Sequence, residues 1–245
     1  MLRSPLPPPL EIYLLGTIEF EDAQQLQRRL VYDLGEDGGG GALVLCEHPP
    51  TFTVGRSGSR FHIVPDDDEL RDREIRVHWV NRGGGCVLHL PGQLAGYLAL
   101  PLHRVGLNLK TYVDGLHSAL GSALEEFDLP SSTRTDAPGL FLGEARVASV
   151  GIAVNRWIAY YGFTLNVGPY LEPFDLLEEP GGNLLPIRQT SMEARRQRPA
   201  PMAKVREAVV RQLELTFGLE RHHIYTEHPL IRRKARPHVY VQSYG

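Results

Sequence analysis

Residues 146–167 read RVASVGIAVNRWIAYYGFTLNV, and this stretch decides the fold. From Arg146 to Val154, and again from Trp157 to Val167, β-branched and aromatic residues dominate, with the polar pair Asn155-Arg156 between the two runs. Two such runs around so short a polar break predict an antiparallel hairpin. A regular βαβ array has no place for strands adjacent in this way. Upstream, the apolar segment Gly85–His89 and the longer Leu94–Leu102 predict strands on either side of Pro91-Gly92, and Ala42–Cys46 a short buried one. Leu10–Gly16 is a further strand candidate, and Ile75, Val77 and Trp79 alternate with Glu74, Arg76 and His78 as a half-buried strand does. Three stripes at steps of three and four residues predict amphipathic helices: Phe20 to Leu34, Leu109 to Phe127, and Met202 to Phe217, the last entered through Pro199 and Pro201. GGGG at 38–41 and DDDE at 66–69 read as surface loops. The expectation is an α+β fold in one domain spanning 1–245, with mixed or antiparallel sheets, packed helices, and tails at 1–9 and 232–245.

Composition narrows the function. Of 245 residues, 42% are hydrophobic, and 26 basic against 29 acidic side chains leave a formal charge of −3. A nucleic-acid-binding chain would carry a basic excess, so no nucleic acid partner is expected. No apolar run approaches the roughly 20 residues that cross a bilayer, and the N-terminal MLRSPLPPPLEIYLLG lacks a signal-peptide apolar block; a cytoplasmic protein away from membranes is expected. The two cysteines, Cys46 and Cys86, cannot build a disulfide framework or a four-cysteine zinc site. Lysines number three: Lys110, Lys204 and Lys234.

Three segments carry more glycine, histidine and proline than packing requires. They are Glu47–Arg56 (EHPPTFTVGR), Asn81–Leu94 (NRGGGCVLHLPGQL), and the strand pair at 146–167, interrupted by Gly151 and Gly162. Consecutive glycines let a backbone approach a ligand and aim N–H groups at it, while Arg82 offers a planar cation. No Gly-Lys-Ser/Thr follows the glycines, and the dinucleotide-binding spacing is absent.

Taken together, EHPPTFTVGR, RGGGCVLHLPGQL, RVASVGIAV and YYGFTLNV resemble, in order, the blocks of the lipoyl(octanoyl) transferases, relatives of lipoate and biotin protein ligases. The resemblance implies the α+β fold of that superfamily. It also implies octanoyl transfer from octanoyl acyl carrier protein to a lysine of lipoyl domains, whether of 2-oxoacid dehydrogenases or of the glycine cleavage H protein. The family reaction runs through a thioester on an enzyme cysteine beside a lysine, with no cofactor. The resemblance assigns substrate binding to Arg82, Gly83, Gly84, Gly85, Cys86, Val87, Leu88 and His89, to Ser149, Val150 and Gly151, and to Gly162, Phe163 and Thr164. The chain departs from the family at both chemical positions. Arg146 stands where the family has lysine, and Gly181, in Pro180-Gly181-Gly182, where it has cysteine; no cysteine follows Cys86. Leu90 replaces a usual glycine, whereas Thr190-Ser191 keeps the family pattern after the loop.

Arg146, Cys86 and Gly181 are thus the candidate catalytic positions. Arginine keeps the positive charge but never releases a proton. Cys86 is either a relocated nucleophile or a small apolar strand residue, and Cys46 is core. His89 is either a substrate-orienting group or general base, or a histidine bonded in a turn, and His48 is structural. His222, His223, His228 and Glu227 fit no common zinc spacing, so no metal is expected. Arg195-Arg196-Gln197-Arg198 reads as a solvated helix entrance or a docking patch for an acidic carrier, and Arg232–Arg236 as solvated tail. The leading expectation is an octanoyltransferase-like monomer. The alternatives are an impaired relative that binds acyl groups or lipoyl domains without transfer, and, last, an ATP-dependent ligase.

Overall fold

The computed structural model describes residues 9–37, 40–178, 186–219 and 222–231. Its first unit is a strand–helix–strand crossover: β1 (Leu10–Thr17), α1 (Phe20–Asp37) and β2 (Gly41–Glu47), with the two strands parallel. In α1 the stripe Phe20, Ala23, Leu26, Leu30 and Leu34 is buried, and Glu21 and Asp22 in the first turn suit the positive end of the helix dipole. β3 (Thr51–Val54) follows, then a 3₁₀ turn at Arg60–His62, α2 (Asp67–Asp72), β4 (Arg76–Trp79) and β5 (Cys86–His89). β6 (Gln93–Pro101) leads to α3 (Leu109–Glu125), β7 (Leu140–Leu142), β8 (Ala145–Asn155), β9 (Ile158–Asn166), α4 (Met192–Arg196), α5 (Met202–Phe217) and β10 (His222–Tyr225).

The strands form a seven-stranded mixed sheet, β10-β1-β2-β6-β9-β8-β7, and a three-stranded sheet, β4-β3-β5. All of β6 is buried, because both faces of the large sheet are covered. On one face α1 closes a core with Ile18, Val44 and Ala95; on the other α3 and α5 pack Leu116, Leu120, Val209 and Leu213 against Leu43, Leu98 and Val147. A third cluster, with Phe52, Leu88, Phe174 and Leu177, belongs to the small sheet.

The α+β class, the hairpin and the three long helices stand as the sequence implies. Four local readings need correction. DDDE is helix rather than loop: Asp66 caps α2 by accepting from Asp68 and Glu69 N–H, and Glu69 returns the bond to Asp66 N–H. The hairpin turn is Arg156-Trp157, one residue later than the polar pair, since Asn155 pairs with Ile158 and both turn residues have positive φ (48° and 63°). Trp79 does not point into a core: it is 65% exposed, since β4 is the edge of the small sheet. The 195–198 run is the end of α4 rather than a helix entrance, and its arginines are engaged within the chain: Arg195 on Leu142 O, Arg196 on Phe127 O and Pro199 O, Arg198 on Asp128. Arg232–Arg236, most of the 1–9 stretch and Gly181 lie outside the described residues. Among the described residues no helix is long and apolar enough to cross a membrane.

Candidate active site

Where the two sheets meet there is a cavity of about 40 Å³. The small sheet and its leading loop contribute Arg82, Gly84, Gly85, Cys86, Val87 and His89. β8 contributes Arg146, Ser149, Val150 and Gly151, and β9 Gly162, Phe163 and Thr164. Thirteen of the residues assigned by the resemblance therefore share one wall. Gly83 and Leu88 do not face this cavity. Gly83 donates its N–H to Ile152 O at 2.8 Å and ties the loop to the large sheet, while Leu88 faces a second void of about 10 Å³. That void adjoins the first, sharing Cys86, Val87, Arg146 and Ser149, and is closed by Phe174, Leu177 and Gln189. Gly181 belongs to the 179–185 stretch outside the described residues. Phe20, Tyr97, Pro138 and Tyr161 also line the cavity and were missed by the sequence reading.

The glycine-rich loop takes its shape from Arg82. Its guanidinium donates to Gly83 O, Gly85 O, Thr53 O and Thr53 Oγ1 at 2.8–3.0 Å, pinning the loop to β3. Space for this side chain comes from two glycines in other motifs. A Cβ on Gly55 would sit 2.7 Å from an Arg82 terminal nitrogen and 2.4 Å from Gly84 O, and one on Gly151 2.6 Å from Gly83 O. The motif residues that looked like ligand contacts thus first build one another's backbone. Glu47 does the same, accepting from Gly92 N–H and from Arg206 of α5 at 3.0 Å each. Gln93 donates to Asn166, and Asn166 to Thr190 O, at 2.8 and 2.9 Å, linking β6, β9 and the segment that leads out of the 179–185 stretch.

Arg146 is 3% exposed. Its backbone is held on both sides by the 188–190 segment, N–H to Arg188 O and C=O from Thr190 N–H. Gly139, at φ +126°, lies over the stem: a Cβ there would be 3.1 Å from Arg146 Cδ and 2.1 Å from Ala148 O. Two guanidiniums, Arg82 and Arg146, line the cavity, and none of its described lining residues is acidic. Such a site favours negative charge that develops on a bound group. Cys86 shares the cavity with Arg146, but its thiol is 1% exposed and donates to Ser59 O at 3.3 Å. That bond engages the neutral thiol, not a thiolate.

His89 forms part of the cavity wall, and His48 packs behind it. His48 Nδ1 lies 2.8 Å from Ile18 O, which can only accept, so Nδ1 carries the proton and Nε2 accepts from the Tyr97 hydroxyl at 2.7 Å. Burial lowers its pKa to about 4. His89 is packed edge-to-face on His48 with ring centroids 5.2 Å apart, and its Nε2 is 3.2 Å from Thr53 Oγ1. Burial, then the neighbouring His48 and Arg82 charges, hold it well below the usual range, so it is neutral at neutral pH. Burial pushes the Cys46 thiol up, away from reactivity.

The lipoyl protein ligase A/B catalytic domain family matches residues 19–214. The chain belongs to this family. Curated relatives include an octanoyltransferase of Geobacter metallireducens, 36% identical over 195 residues that make up 80% of this chain and 87% of the relative. Another, from Desulforamulus reducens, is 30% identical over 207 residues, 84% of this chain and 90% of the relative. Among solved structures, a bi-partite lipoate protein ligase of Thermoplasma acidophilum, reported with its E2 lipoyl domain, superposes with a TM-score of 0.67 at 18% identity, covering 90% of this chain and 88% of that one. Lipoate-protein ligase A bound with ATP gives 0.64 at 16%, covering 91% and 90%. At such identities the structural likeness speaks for the fold.

Proposed function

We propose that this protein is an acyltransferase of protein lipoylation, moving an octanoyl group from an acyl carrier protein to a lysine of a lipoyl domain without an enzyme cysteine. The observation that supports it is the intact wall: glycine loop, β8 and β9 converge on one narrow cavity in a chain 36% identical to an octanoyltransferase. In this reading the carrier's thioester lies with its carbonyl toward Arg146. The lipoyl-domain lysine attacks the thioester carbonyl as free amine, forming the C–N bond and a tetrahedral oxyanion; on collapse the C–S bond breaks, and the proton lost by nitrogen ends on the departing sulfur. Arg146 stabilises the oxyanion of the tetrahedral intermediate but exchanges no proton. Proximity of the two carriers supplies the rest of the acceleration. Cys86, hydrogen-bonded through its neutral thiol to Ser59 O, forms part of the wall, and His89 supports the loop through Thr53.

The test combines purified protein, octanoyl acyl carrier protein and apo lipoyl domain, and follows the mass of the domain. A gain of one octanoyl group above a protein-free control is expected. A rate equal to that control, with carriers bound, would leave a binding protein in its place.

A further inference from the structure

The slot has two distinguishable ends. At one, Cys86, Val87, Arg146 and Ser149 are shared with the small void beneath Phe174 and Leu177, next to the segments that flank the 179–185 stretch. At the other, a single residue, Tyr161, faces both this cavity and a separate one of about 250 Å³. Gln24, Gln27, Trp79, Asn81 and Tyr160 line that back cavity. Tyr161 is the partition.

Its position is held from several sides. Tyr161 has φ +61° in the middle of β9, a conformation that is unusual for a bulky residue and that its surroundings must enforce. Here Gln27 Oε1 of α1 accepts Tyr161 N–H at 3.1 Å. The hydroxyl accepts from Gln24 Nε2 at 3.4 Å, and the ring stacks on Tyr160 with centroids 5.1 Å apart. Between Tyr97↔Gly162 and Leu100↔Ala159 the β6–β9 pairing lapses, which is where the Tyr161 backbone turns toward α1.

Distance gives the partition a meaning. Ser149 pairs with Thr164 and Ile152 with Tyr161, so the partition stands three strand steps from the Ser149–Thr164 level, roughly 10 Å at about 3.3 Å per residue. Each carbon–carbon bond of about 1.5 Å advances an extended zigzag chain by about 1.3 Å, so about eight bonds, a chain of about eight or nine carbons, span that length. We infer that Tyr161 is the end stop of the acyl slot and sets the length of the chain accepted. This rests on the acyl-transfer reading for the ligand's chemistry. Phe20 and Tyr97 also bound this end, but neither faces the back cavity, and Tyr97 is fixed by its bond to His48.

The experiment measures chain selection by binding as well as by transfer. The full-length protein is mixed with equimolar hexanoic, octanoic, decanoic, dodecanoic and tetradecanoic acids, and the bound species are weighed by native mass spectrometry; the same series of acyl carrier proteins is then offered with apo lipoyl domain. Tyr161→Gly suits the positive φ and opens the partition, so bound and transferred chains should lengthen, with the dodecanoic to octanoic ratio rising about tenfold, as a little over one kcal/mol of added apolar contact gives. Tyr161→Asn, tolerant of the same backbone region, should shift the same way and serves if the glycine variant does not fold. Tyr161→Phe keeps the ring and should keep the wild-type ratio. An unchanged ratio in a folded Tyr161→Gly or Tyr161→Asn protein overturns the inference, as does failure of the wild type to bind any acid. Binding selection that shifts without transfer in any variant upholds the end stop while refuting the transferase reading.

Discussion

In the proposed mechanism, Arg146 decides which chemistry the site can run. A lysine at that place can give and take a proton, whereas a guanidinium can only hold charge. If Arg146 steadies the oxyanion, Arg146→Ala should lower kcat by roughly 10²–10³, the loss usual for one oxyanion donor, with a smaller change in KM. Arg146→Lys, retaining the charge on a shorter and less directional group, should fall between. Cys86→Ser separates the routes: with direct aminolysis, transfer survives with at most a roughly threefold loss from altered packing, whereas abolition would make Cys86 the nucleophile. Much of this site was legible in the residues. The motif blocks predicted which residues share the cavity wall, and the exchange of lysine for Arg146 and of cysteine for Gly181 is read from the residues alone. That Arg146 and Cys86 share one cavity could not be read, because it depends on how β5 of one sheet meets β8 of the other. Tyr161 and Tyr97 were missed for a similar reason. An aromatic residue in a strand reads as core, and only a backbone turned to φ +61° aims Tyr161 at two cavities.

At the scale of elements, sequence and structure diverge where side chains and backbone compete. Acidic residues in a row look like a loop until one recognises Asp66 and Glu69 as the two halves of a capping box. The β8–β9 hairpin shows the same competition. Its turn demands left-handed backbone at two residues, for which Asn-Gly is the favoured pair, yet Arg156-Trp157 occupy it. Trp157 is 62% exposed, so its ring adds little packing, and its C=O contact with Leu102 N–H belongs to the backbone. The double substitution Arg156→Asn, Trp157→Gly should therefore stabilise the protein by about 1 kcal/mol, the left-handed strain relieved outweighing the entropy that glycine adds to the unfolded chain. Thermal unfolding at fixed pH would show it as a rise in Tm of a few degrees. A fall in Tm would mean that the Trp157 ring carries packing its exposure does not suggest.

The whole molecule joins its layers through buried neutral histidines, and this makes its stability depend on pH. His48 sits between β2, β6 and the entrance of α1, bonded to Ile18 O and Tyr97, while His89 ends β5 against it. Both are held below the ordinary histidine range by burial. In the unfolded chain each titrates near pH 6.5, so below that the unfolded state binds more protons than the folded one. The associated stability is full above about pH 6.5 and declines as pH falls toward the folded pKa, about 4 for His48. For His48 alone the loss across that window is about 3 kcal/mol, a sizeable share of the stability of a domain of this kind. His89 shifts in the same direction and steepens the decline. Urea unfolding followed from about pH 7.5 down to about pH 4.5 should thus show a midpoint that falls steadily below about pH 6.5 with little change above it. His48→Gln, which offers an amide N–H to Ile18 O and an oxygen to the Tyr97 hydroxyl without a titrating group, should be less stable at neutral pH and show a shallower acid decline. If its decline were as steep as that of the wild type, the proton uptake would have to come from elsewhere, and the link between the buried pair and acid stability would fail.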